Sequence, residues 1–201
     1  MPEHYKIVDG CNLPARLSGD PALDFCNTYA GWNGPSATDY LSDYEHLAVW
    51  AGFVALLPAE RVAALRQRGN RRASAASETL ERARRLRTSL YRVLVGGGTG
   101  RDFALVAREA QAAAASLRLC RGPDGVRWEL APDNGLAAPI AAVAWAAGRL
   151  LTSPQLPLVR VCPGTGCGWL FLDPRGRRRW CTMATCGNRA KVSRFAARHR
   201  D

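Results

Sequence analysis

The sequence predicts an α+β protein with a mainly helical N-terminal domain and a small β-hairpin, followed by a small four-cysteine module that ends in a helix. Apolar residues recur every three or four positions in several segments before residue 152, which is typical of amphipathic helices. One stretch, 126–130, alternates apolar and polar residues as a half-buried strand does. Four of the seven cysteines lie in the last 40 residues, after a segment with two closely spaced prolines.

Composition excludes several classes of protein. A chain of 201 residues that is 47% apolar and 22% charged is globular, with room for one large domain and one small one. No apolar run approaches the roughly 18 residues of a membrane span, and residues 1–6 lack the apolar core of a secretory signal. We therefore expect a cytoplasmic protein with no membrane partner. The formal net charge of +11 and the pI near 10.0 suggest a polyanionic partner.

The helices are predicted from their start signals and periodicity. Residues 1–17 read as an irregular or short extended lead-in. Ser18-Gly19-Asp20-Pro21 supplies a capping side chain followed by proline, and Ser42 with Glu45 has capping-box spacing. Pro139 falls inside the last apolar helix of this domain, so its regular part is expected to begin there. The predicted helices cover about 21–29, 43–51, 59–69, 74–95, 102–116 and 133–151.

The helix over 74–95 is the clearest of these. Leu80, Ala83, Leu86 and Leu90 form one apolar stripe, and three glycines end the helix at 96–98. Arg84 and Arg87 are expected on the outward face. Asp102 is predicted to cap the next helix.

A hairpin and a linker complete the N-terminal domain. Residues 117–120 and 126–130 are predicted to pair as a hairpin around Arg121-Gly122-Pro123-Asp124-Gly125. The prolines of 153–157 cannot continue a helix and mark a linker. We place the domains at 1–155 and 156–201.

The cysteines predict a metal site. Seven is an odd number and no export signal is visible, so a disulfide framework is unlikely. The spacing Cys162-x4-Cys167-x13-Cys181-x4-Cys186 suits one tetrahedral ion held by two tight turns, with 169–172 as a strand between them. Thiolate ligands favour a single structural zinc, with an iron–sulfur cluster as the alternative. Trp169, Phe171 and Trp180 are expected to shield the site, and metal removal is expected to unfold the module.

The other three cysteines are scattered, at Cys11, Cys26 and Cys120. Cys26 and Cys120 each follow an apolar residue, and both are expected to behave as small core residues.

The same C-terminal segment is strongly basic. Residues 158–201 hold ten of the 28 Lys and Arg residues but two of the 17 acids, a net charge of +8. Taken by itself, this charge could also belong to a basic tail that is simply exposed to solvent. In a helix, Lys191, Arg194 and Arg198 share one face, and Val192 and Phe195 are expected to pack back onto the metal core. Such a helix suits contact with duplex DNA, with RNA or an acidic protein as alternatives.

The C-terminal motifs resemble the CGNR zinc finger family. The resemblance rests on Cys162, Cys167, the run Gly168-Trp169-Leu170-Phe171-Leu172-Asp173, the run Arg178-Arg179-Trp180-Cys181, Met183, and Cys186-Gly187-Asn188-Arg189-Ala190-Lys191. Gly19 with Leu23-Asp24-Phe25-Cys26-Asn27-Thr28 resembles the ABATE domain that usually precedes this finger. The loop after Asp173 and the first knuckle, which lacks acidic residues, depart from the family pattern.

The resemblance implies a bacterial transcription regulator, in some cases labelled stress-induced. It implies zinc ligation by the four cysteines, DNA contact by the finger and a sensing role for the upstream domain. The candidate DNA-binding residues are Arg177, Arg178, Arg179, Asn188, Arg189, Lys191, Arg194 and Arg198.

The sequence says less about effector binding, catalysis and assembly than about DNA binding. Polar groups beside an aromatic ring suggest a small-molecule effector site at Asp24, Asn27, Thr28 and Trp32, although these side chains could instead tie down local backbone. No catalytic motif is recognisable, so we expect no enzyme activity. A zinc-thiolate redox switch and a protein-interaction module without sequence-specific DNA binding are the alternative functions. A homodimer is the expected assembly if the larger domain mediates dimerisation.

Overall fold

A computed structural model describes residues 5–35, 37–122 and 125–198. The seven α-helices of these residues confirm the mainly helical fold class, with strands confined to four two-stranded antiparallel sheets. The helices are α1 Pro21–Cys26, α2 Tyr44–Phe53, α3 Ala59–Arg71, α4 Ala73–Leu94, α5 Gly100–Ala115, α6 Ala138–Leu151 and α7 Asn188–Arg198. The strands are β1 Tyr5–Val8, β2 Cys11–Pro14, β3 Tyr29–Ala30, β4 Thr38–Asp39, β5 Leu117–Gly122, β6 Gly125–Leu130, β7 Val159–Val161 and β8 Leu170–Leu172. None of the described helices is long and apolar enough to cross a membrane.

The lead-in is more regular than predicted. Strands β1 and β2 form an antiparallel hairpin, with Val8 opposite Cys11. Its turn is Asp9-Gly10, and both residues have positive φ angles, 47° and 81°. Asp-Gly is a favoured sequence for two-residue hairpin turns because both positions need the left-handed region. The first four residues of the predicted lead-in lie outside the described residues.

The main core lies where α1, α2, α4 and α6 meet. Its largest fully buried side chains include Trp50, Phe25, Leu86 and Ile140. The rings of Phe25 and Trp50 are 5.3 Å apart and tilted by 45°, an arrangement that aromatic pairs favour. The stripe predicted for α4 is confirmed, since Leu80, Ala83, Leu86 and Leu90 are all buried.

Two predicted helix caps were wrong in detail. Asp20 caps α1 as expected, accepting a hydrogen bond from the Ala22 amide. Helix α2 is capped by Asp43, whose carboxylate accepts from the His46 amide, so Ser42 and Glu45 form no capping box. Helix α5 is capped by Thr99. Asp102, the third residue of the helix, completes a reciprocal capping box with Thr99. In both helices the true cap is another hydrogen-bonding side chain near the predicted start, which sequence spacing alone does not distinguish.

The α6 prediction is confirmed at its start. A 3₁₀ turn over Pro132–Ala137 precedes the helix, which becomes regular at Ala138, next to Pro139. A second 3₁₀ turn, Leu156–Leu158, lies at the end of the proline-containing linker segment.

Arg87 does not face outward. Its side chain is only 3% exposed, and its two terminal nitrogens donate to the carboxylate oxygens of Asp39 at 2.7 and 2.6 Å. It also donates to the Thr28 hydroxyl at 3.0 Å. Arg84 from the same helix donates to the Leu41 carbonyl and lies 3.3 Å from Asp39. The outward prediction was wrong because Asp39 of β4, which is partly buried and distant in sequence, supplies a counter-charge to the buried Arg87.

The predicted hairpin is present as β5 and β6, with Leu119 opposite Trp128 and Leu117 opposite Leu130. The turn residues Pro123 and Asp124 lie outside the described residues. Cys120 is half-buried rather than a core residue. At the base of the hairpin, Leu130 packs against the main core, but Leu119, Val126 and Trp128 are each more than half exposed.

Candidate metal centre and basic groove

The four C-terminal cysteines converge on one point. Their sulfur atoms all lie within 4.8 Å of one another, and all four residues are buried. The Sγ of Cys181 is 3.7 Å from that of Cys167 and 3.6 Å from that of Cys186. A tetrahedral zinc with bonds of about 2.3 Å requires sulfur separations of about 3.8 Å. The sulfur cage therefore has the dimensions of a zinc site.

The first pair of cysteines lies on a tight knuckle between β7 and β8. The Cys162 amide donates to the Trp169 carbonyl at 2.8 Å, and the Cys167 amide donates to the Gly164 carbonyl at 2.9 Å. A Cβ at Gly164 would lie 2.9 Å from the Cys186 sulfur, so any side chain there would intrude on the cage. Gly168 has a φ of 70°, which glycine adopts without strain.

The second pair is placed by a π turn over Met183–Gly187. Thr182 caps this turn by accepting a hydrogen bond from the Ala184 amide, and the Gly187 amide donates to the Thr182 carbonyl at 3.1 Å. Cys186 lies in the turn, and α7 begins directly after Gly187. The position of α7 is therefore fixed by the same turn that supplies a metal ligand.

The chemistry of the cage favours a thiophilic cation. Hydrogen bonds from Cys167 and the other two thiols lower the pKa of Cys162, whereas the bond with Cys162 raises the pKa of both Cys167 and Cys181. Ionisation of one thiol therefore disfavours ionisation of its neighbours. A divalent ion would compensate the negative charge and allow all four cysteines to be thiolates. Four buried sulfur ligands fit one structural zinc and leave no open coordination position.

An apolar shell surrounds the cage. Trp169 and Phe171 are buried beside the four cysteines, and Trp180 packs against them partly buried. This confirms the predicted shielding residues. The shell also includes Leu17, Trp32 and Tyr40 from the N-terminal part of the chain, so the metal centre is enclosed from both sides.

Arg178 serves the fold of the finger rather than its surface. Its guanidinium lies 4.5 Å above the Phe171 ring and donates to the Leu17 carbonyl at 2.6 Å and the Trp180 carbonyl at 3.2 Å. It also donates to the carbonyl of Cys181, a cage residue. Because its Nε and Nη2 donors bond backbone oxygens, Arg178 holds the finger together, and we do not propose it as a DNA contact.

Helix α7 projects from the metal centre and has no buried residue. The expectation that Val192 and Phe195 pack back onto the metal core was wrong, since they are 61% and 64% exposed. Helix α7 is joined to the metal centre instead by the π turn that directly precedes it and contains Cys186. Among the candidates in α7, Asn188, Arg189, Lys191, Arg194 and Arg198 are exposed.

A groove of about 590 Å³ lies between the first knuckle and α7. Arg179, Arg189 and Arg194 line it, together with the hydroxyl residues Thr165 and Ser193, and none of its described lining residues is acidic. Arg189 also donates to the Cys186 sulfur at 3.3 Å, which links this wall of the groove to the metal cage. Arg177 is exposed on the preceding loop, where its amide donates to the Asp173 carboxylate. We refer to this cavity below as the finger groove.

The four predicted effector-binding residues have internal partners. Asp24 accepts from the Leu17 and Ser18 amides, and burial raises the pKa of its carboxyl. The Thr28 hydroxyl donates to the Phe25 carbonyl at 2.6 Å. The Trp32 indole N–H donates to the Cys26 carbonyl at 3.1 Å. The structure thus supports the alternative reading, in which these groups tie down backbone, and we propose no ligand for them.

Asn27 makes the contact that sequence reasoning missed. Its amide nitrogen donates to the Leu170 carbonyl at 2.9 Å, and its amide oxygen accepts from the Leu170 N–H at 2.8 Å. Asn27 therefore pairs with β8 as a neighbouring strand would. The Leu172 amide donates to the Ser18 carbonyl at 2.8 Å, which extends this attachment along the strand.

A second attachment runs from α4 to the first knuckle. The Trp32 and Tyr91 rings stack at 3.8 Å, and the Tyr91 hydroxyl donates to the Gly168 carbonyl at 2.8 Å. Burial raises the pKa of Tyr91 to about 12, so the hydroxyl remains a donor. No local motif identifies Tyr91, because its partners lie about 60 and 80 positions away.

Comparison with protein families gives two matches that lie side by side in the chain. Residues 19–154 match the ABATE family, described as "Putative stress-induced transcription regulator", and residues 159–199 match the CGNR zinc finger. Neither is an enzyme family. A comparison with curated proteins found no match. The chain therefore belongs to the ABATE family and carries a CGNR zinc finger with one structural zinc site at its C-terminal end.

Proposed function

We propose that this protein is a DNA-binding transcription regulator whose finger groove holds the phosphate backbone of duplex DNA. The observation that carries this proposal is the finger groove itself, where three arginines and two hydroxyl side chains face one concave surface. Arginine forks and hydroxyl groups are common partners of DNA phosphates. The net charge of +8 on residues 158–201 supports the same partner.

The remaining candidate DNA-binding residues lie at three places on the finger. Arg179, Arg189 and Arg194 line the finger groove, while Lys191 and Arg198 extend the basic surface along α7. Arg177 and Asn188 complete the set at the loop and at the start of the helix. Phosphate contacts position a protein on DNA, and Asn and Arg side chains are those best suited to read base edges.

Zinc has an architectural role in this proposal. It joins the knuckle that forms one wall of the finger groove to the π turn that places α7, which forms the other wall. Removing the ion should separate the walls and abolish DNA binding. A chelated sample that binds DNA as tightly as the zinc-loaded protein would contradict this role.

Selection from a random duplex library on zinc-loaded protein would define the target. Fluorescence anisotropy on the selected duplex then tests the finger groove through Arg194→Ala and the outer part of α7 through Arg198→Ala. Each substitution should weaken binding and reduce the slope of log K against log salt by about one unit per lost phosphate contact. The matched control is Arg85→Ala, which removes an exposed arginine of α4. Equal affinities and slopes in all four proteins would remove this surface from the interface.

We further propose a homodimer formed through the exposed side of the hairpin. The pairs Leu119–Trp128 and Arg121–Val126 lie on the same face of the hairpin as Leu130, which packs against the main core. Beyond the core, this face exposes the side chains of Leu119, Val126 and Trp128. Exposed apolar patches mark interaction surfaces, and a two-fold dimer is the commonest assembly. Sedimentation velocity should show a dimer that Trp128→Glu dissociates. Phe103→Glu, on an exposed residue of α5, is the control and should leave the dimer intact. A monomeric wild-type protein would contradict the proposal.

A further inference from the structure

A second basic cavity lies in the N-terminal domain, on the elements that precede the finger. It has a volume of about 440 Å³ and is formed by residues of α3 from Arg61 onward, by Arg72 at its end, and by the 3₁₀ turn Pro132–Ala137. This volume is within the range of pockets for small molecules. Leu65 and Gly135 contribute apolar wall, and the polar lining consists of Gln67 and four arginines, Arg61, Arg68, Arg71 and Arg72. We refer to it as the α3 pocket.

One of the four arginines has a structural role. Arg61 donates to the Leu130 and Ala131 carbonyls at 2.9 and 2.7 Å, which holds the end of β6 against α3. Within the described part of the chain, the side chains of Arg68, Arg71 and Arg72 form no hydrogen bond or ion pair. By contrast, two other arginines of α3 and α4 are paired with acidic residues, Arg66 with Glu45 and Arg82 with Glu109.

Helix stability does not account for this arrangement. One basic residue near the end of α3 interacts favourably with the helix dipole. However, like charges at spacings of three and four residues repel one another, and Arg68, Arg71 and Arg72 have this spacing. Helix α4 starts at the next residue with no acidic group in its first turn and no side-chain cap. Its positive N-terminal end adds to the charge instead of offsetting it.

We propose that the α3 pocket binds a small anion that carries two or more phosphate groups. The guanidinium groups form paired hydrogen bonds with phosphate oxygens, and three unpaired cations match the charge of a di- or triphosphate better than that of a single phosphate. Gln67 adds a neutral donor. The pocket belongs to the ABATE part of the chain, so the inference does not depend on the finger or on DNA binding.

Phosphate chemistry is shared with DNA, so the test separates a free anion from a nucleic-acid backbone. The probe is inorganic tripolyphosphate, titrated calorimetrically into the zinc-loaded full-length protein at near-physiological salt, with orthophosphate as the comparison. The test variant is Arg68→Ala/Arg71→Ala, in which alanine preserves the helix. The control is Arg85→Ala/Arg101→Ala, which removes two exposed arginines from outside the pocket and the same net charge.

Tripolyphosphate should bind the wild-type and control proteins with similar affinity and more tightly than orthophosphate does. The affinity of the test variant for tripolyphosphate should be lower by at least about tenfold. Equal affinity in the two double variants, or no binding to wild type, would overturn the proposal.

The DNA arm uses the same proteins with the duplex used for the finger. Retained DNA affinity in the test variant, together with lost tripolyphosphate binding, supports a free anion as the ligand. Lost DNA affinity with unchanged tripolyphosphate binding would assign the surface to DNA and overturn the proposal. Failure of DNA binding in Arg194→Ala concerns the finger groove alone, so the two proposals fail independently.

Discussion

Replacing Asn27 by leucine tests whether the N-terminal domain holds the finger. Leucine approximates the shape of asparagine but can neither donate nor accept a hydrogen bond. The substitution removes the two bonds, of 2.9 and 2.8 Å, between the Asn27 amide and the main chain of Leu170. Asn27 is 1% exposed and Leu170 is fully buried, so water does not replace the lost partners.

The magnitude follows from leaving two buried backbone groups unsatisfied. Each such group costs about 1–3 kcal/mol, so the two together give a total loss of about 2–6 kcal/mol. That is a large fraction of the roughly 5–15 kcal/mol by which domains are stable. The neighbouring bond from the Leu172 amide to the Ser18 carbonyl should also weaken, because it lies on the same strand.

Two assays measure this effect. Urea unfolding at a fixed concentration of free zinc should show the lower free energy of unfolding. Zinc release to a chromogenic chelator should be faster, since Trp169 and Phe171 flank Leu170 and shield the metal cage. The control is Asn33→Ala, which removes a single long bond of 3.4 Å to the Gly164 carbonyl and should cost less than about 1 kcal/mol.

The reasoning would be refuted by a stability loss below about 1 kcal/mol in Asn27→Leu combined with an unchanged rate of zinc release. That result would mean that β8 is held by packing alone and that the paired hydrogen bonds contribute little. A stability loss without faster zinc release would show instead that Asn27 serves the larger core but not the metal centre.

Three other perturbations test separate features of the molecule. Arg87→Met should destabilise the protein by about 1.5–3 kcal/mol, because it removes the charge-assisted hydrogen bonds from Arg87 to Asp39 while Arg84 stays 3.3 Å from that carboxylate. Arg85→Met is the exposed control, and equal urea midpoints would disprove the role of the ion pair. Hydrogen bonds from the Thr99 backbone and the Ser89 hydroxyl lower the pKa of Asp102 to about 2 from 3.8. This carboxylate therefore contributes stability above about pH 4 that is lost as the pH falls towards 2. Asp102→Asn should flatten the pH dependence of unfolding in that window, and parallel curves for the two proteins would contradict this. Gly164→Ala should weaken zinc retention against a competing chelator, since the new Cβ would lie 2.9 Å from the Cys186 sulfur; Gly100→Ala, where a Cβ meets nothing within 4 Å, should behave as wild type.

Local patterns predicted the elements of this protein well. Four cysteines with knuckle spacing predicted one cage, because thiolate coordination requires few residues and little tertiary context. The stripe through Leu80 and Leu90 predicted α4, because a long amphipathic period leaves one face to bury. The Asp9-Gly10 turn carried a hairpin signal of the same local kind, and the lead-in could have been assigned from it.

Contacts between distant segments were not predictable in the same way. Arg87 faces inward because the tertiary fold places Asp39 beside it. Asn27 faces β8 because the fold brings Leu170, more than 140 residues later in the sequence, next to it. The polar cluster around Asp24 has the composition of a binding site, yet its hydrogen bonds are all internal. A single sequence shows that such groups need partners, but not whether the partners are ligands or backbone.

Strand β8 has a consequence for how the finger can be studied. Leu170 and Leu172 pack into the main core, whereas Phe171 between them packs beside the cysteines. One three-residue strand is thus a shared wall, with alternate side chains on its two faces. A finger excised at the interdomain linker would expose both leucines to water and would be prone to aggregate. Grafting the finger onto an unrelated sensor would fail for the same reason. The new host would have to cover both leucines and replace the hydrogen bonds from Asn27 to Leu170.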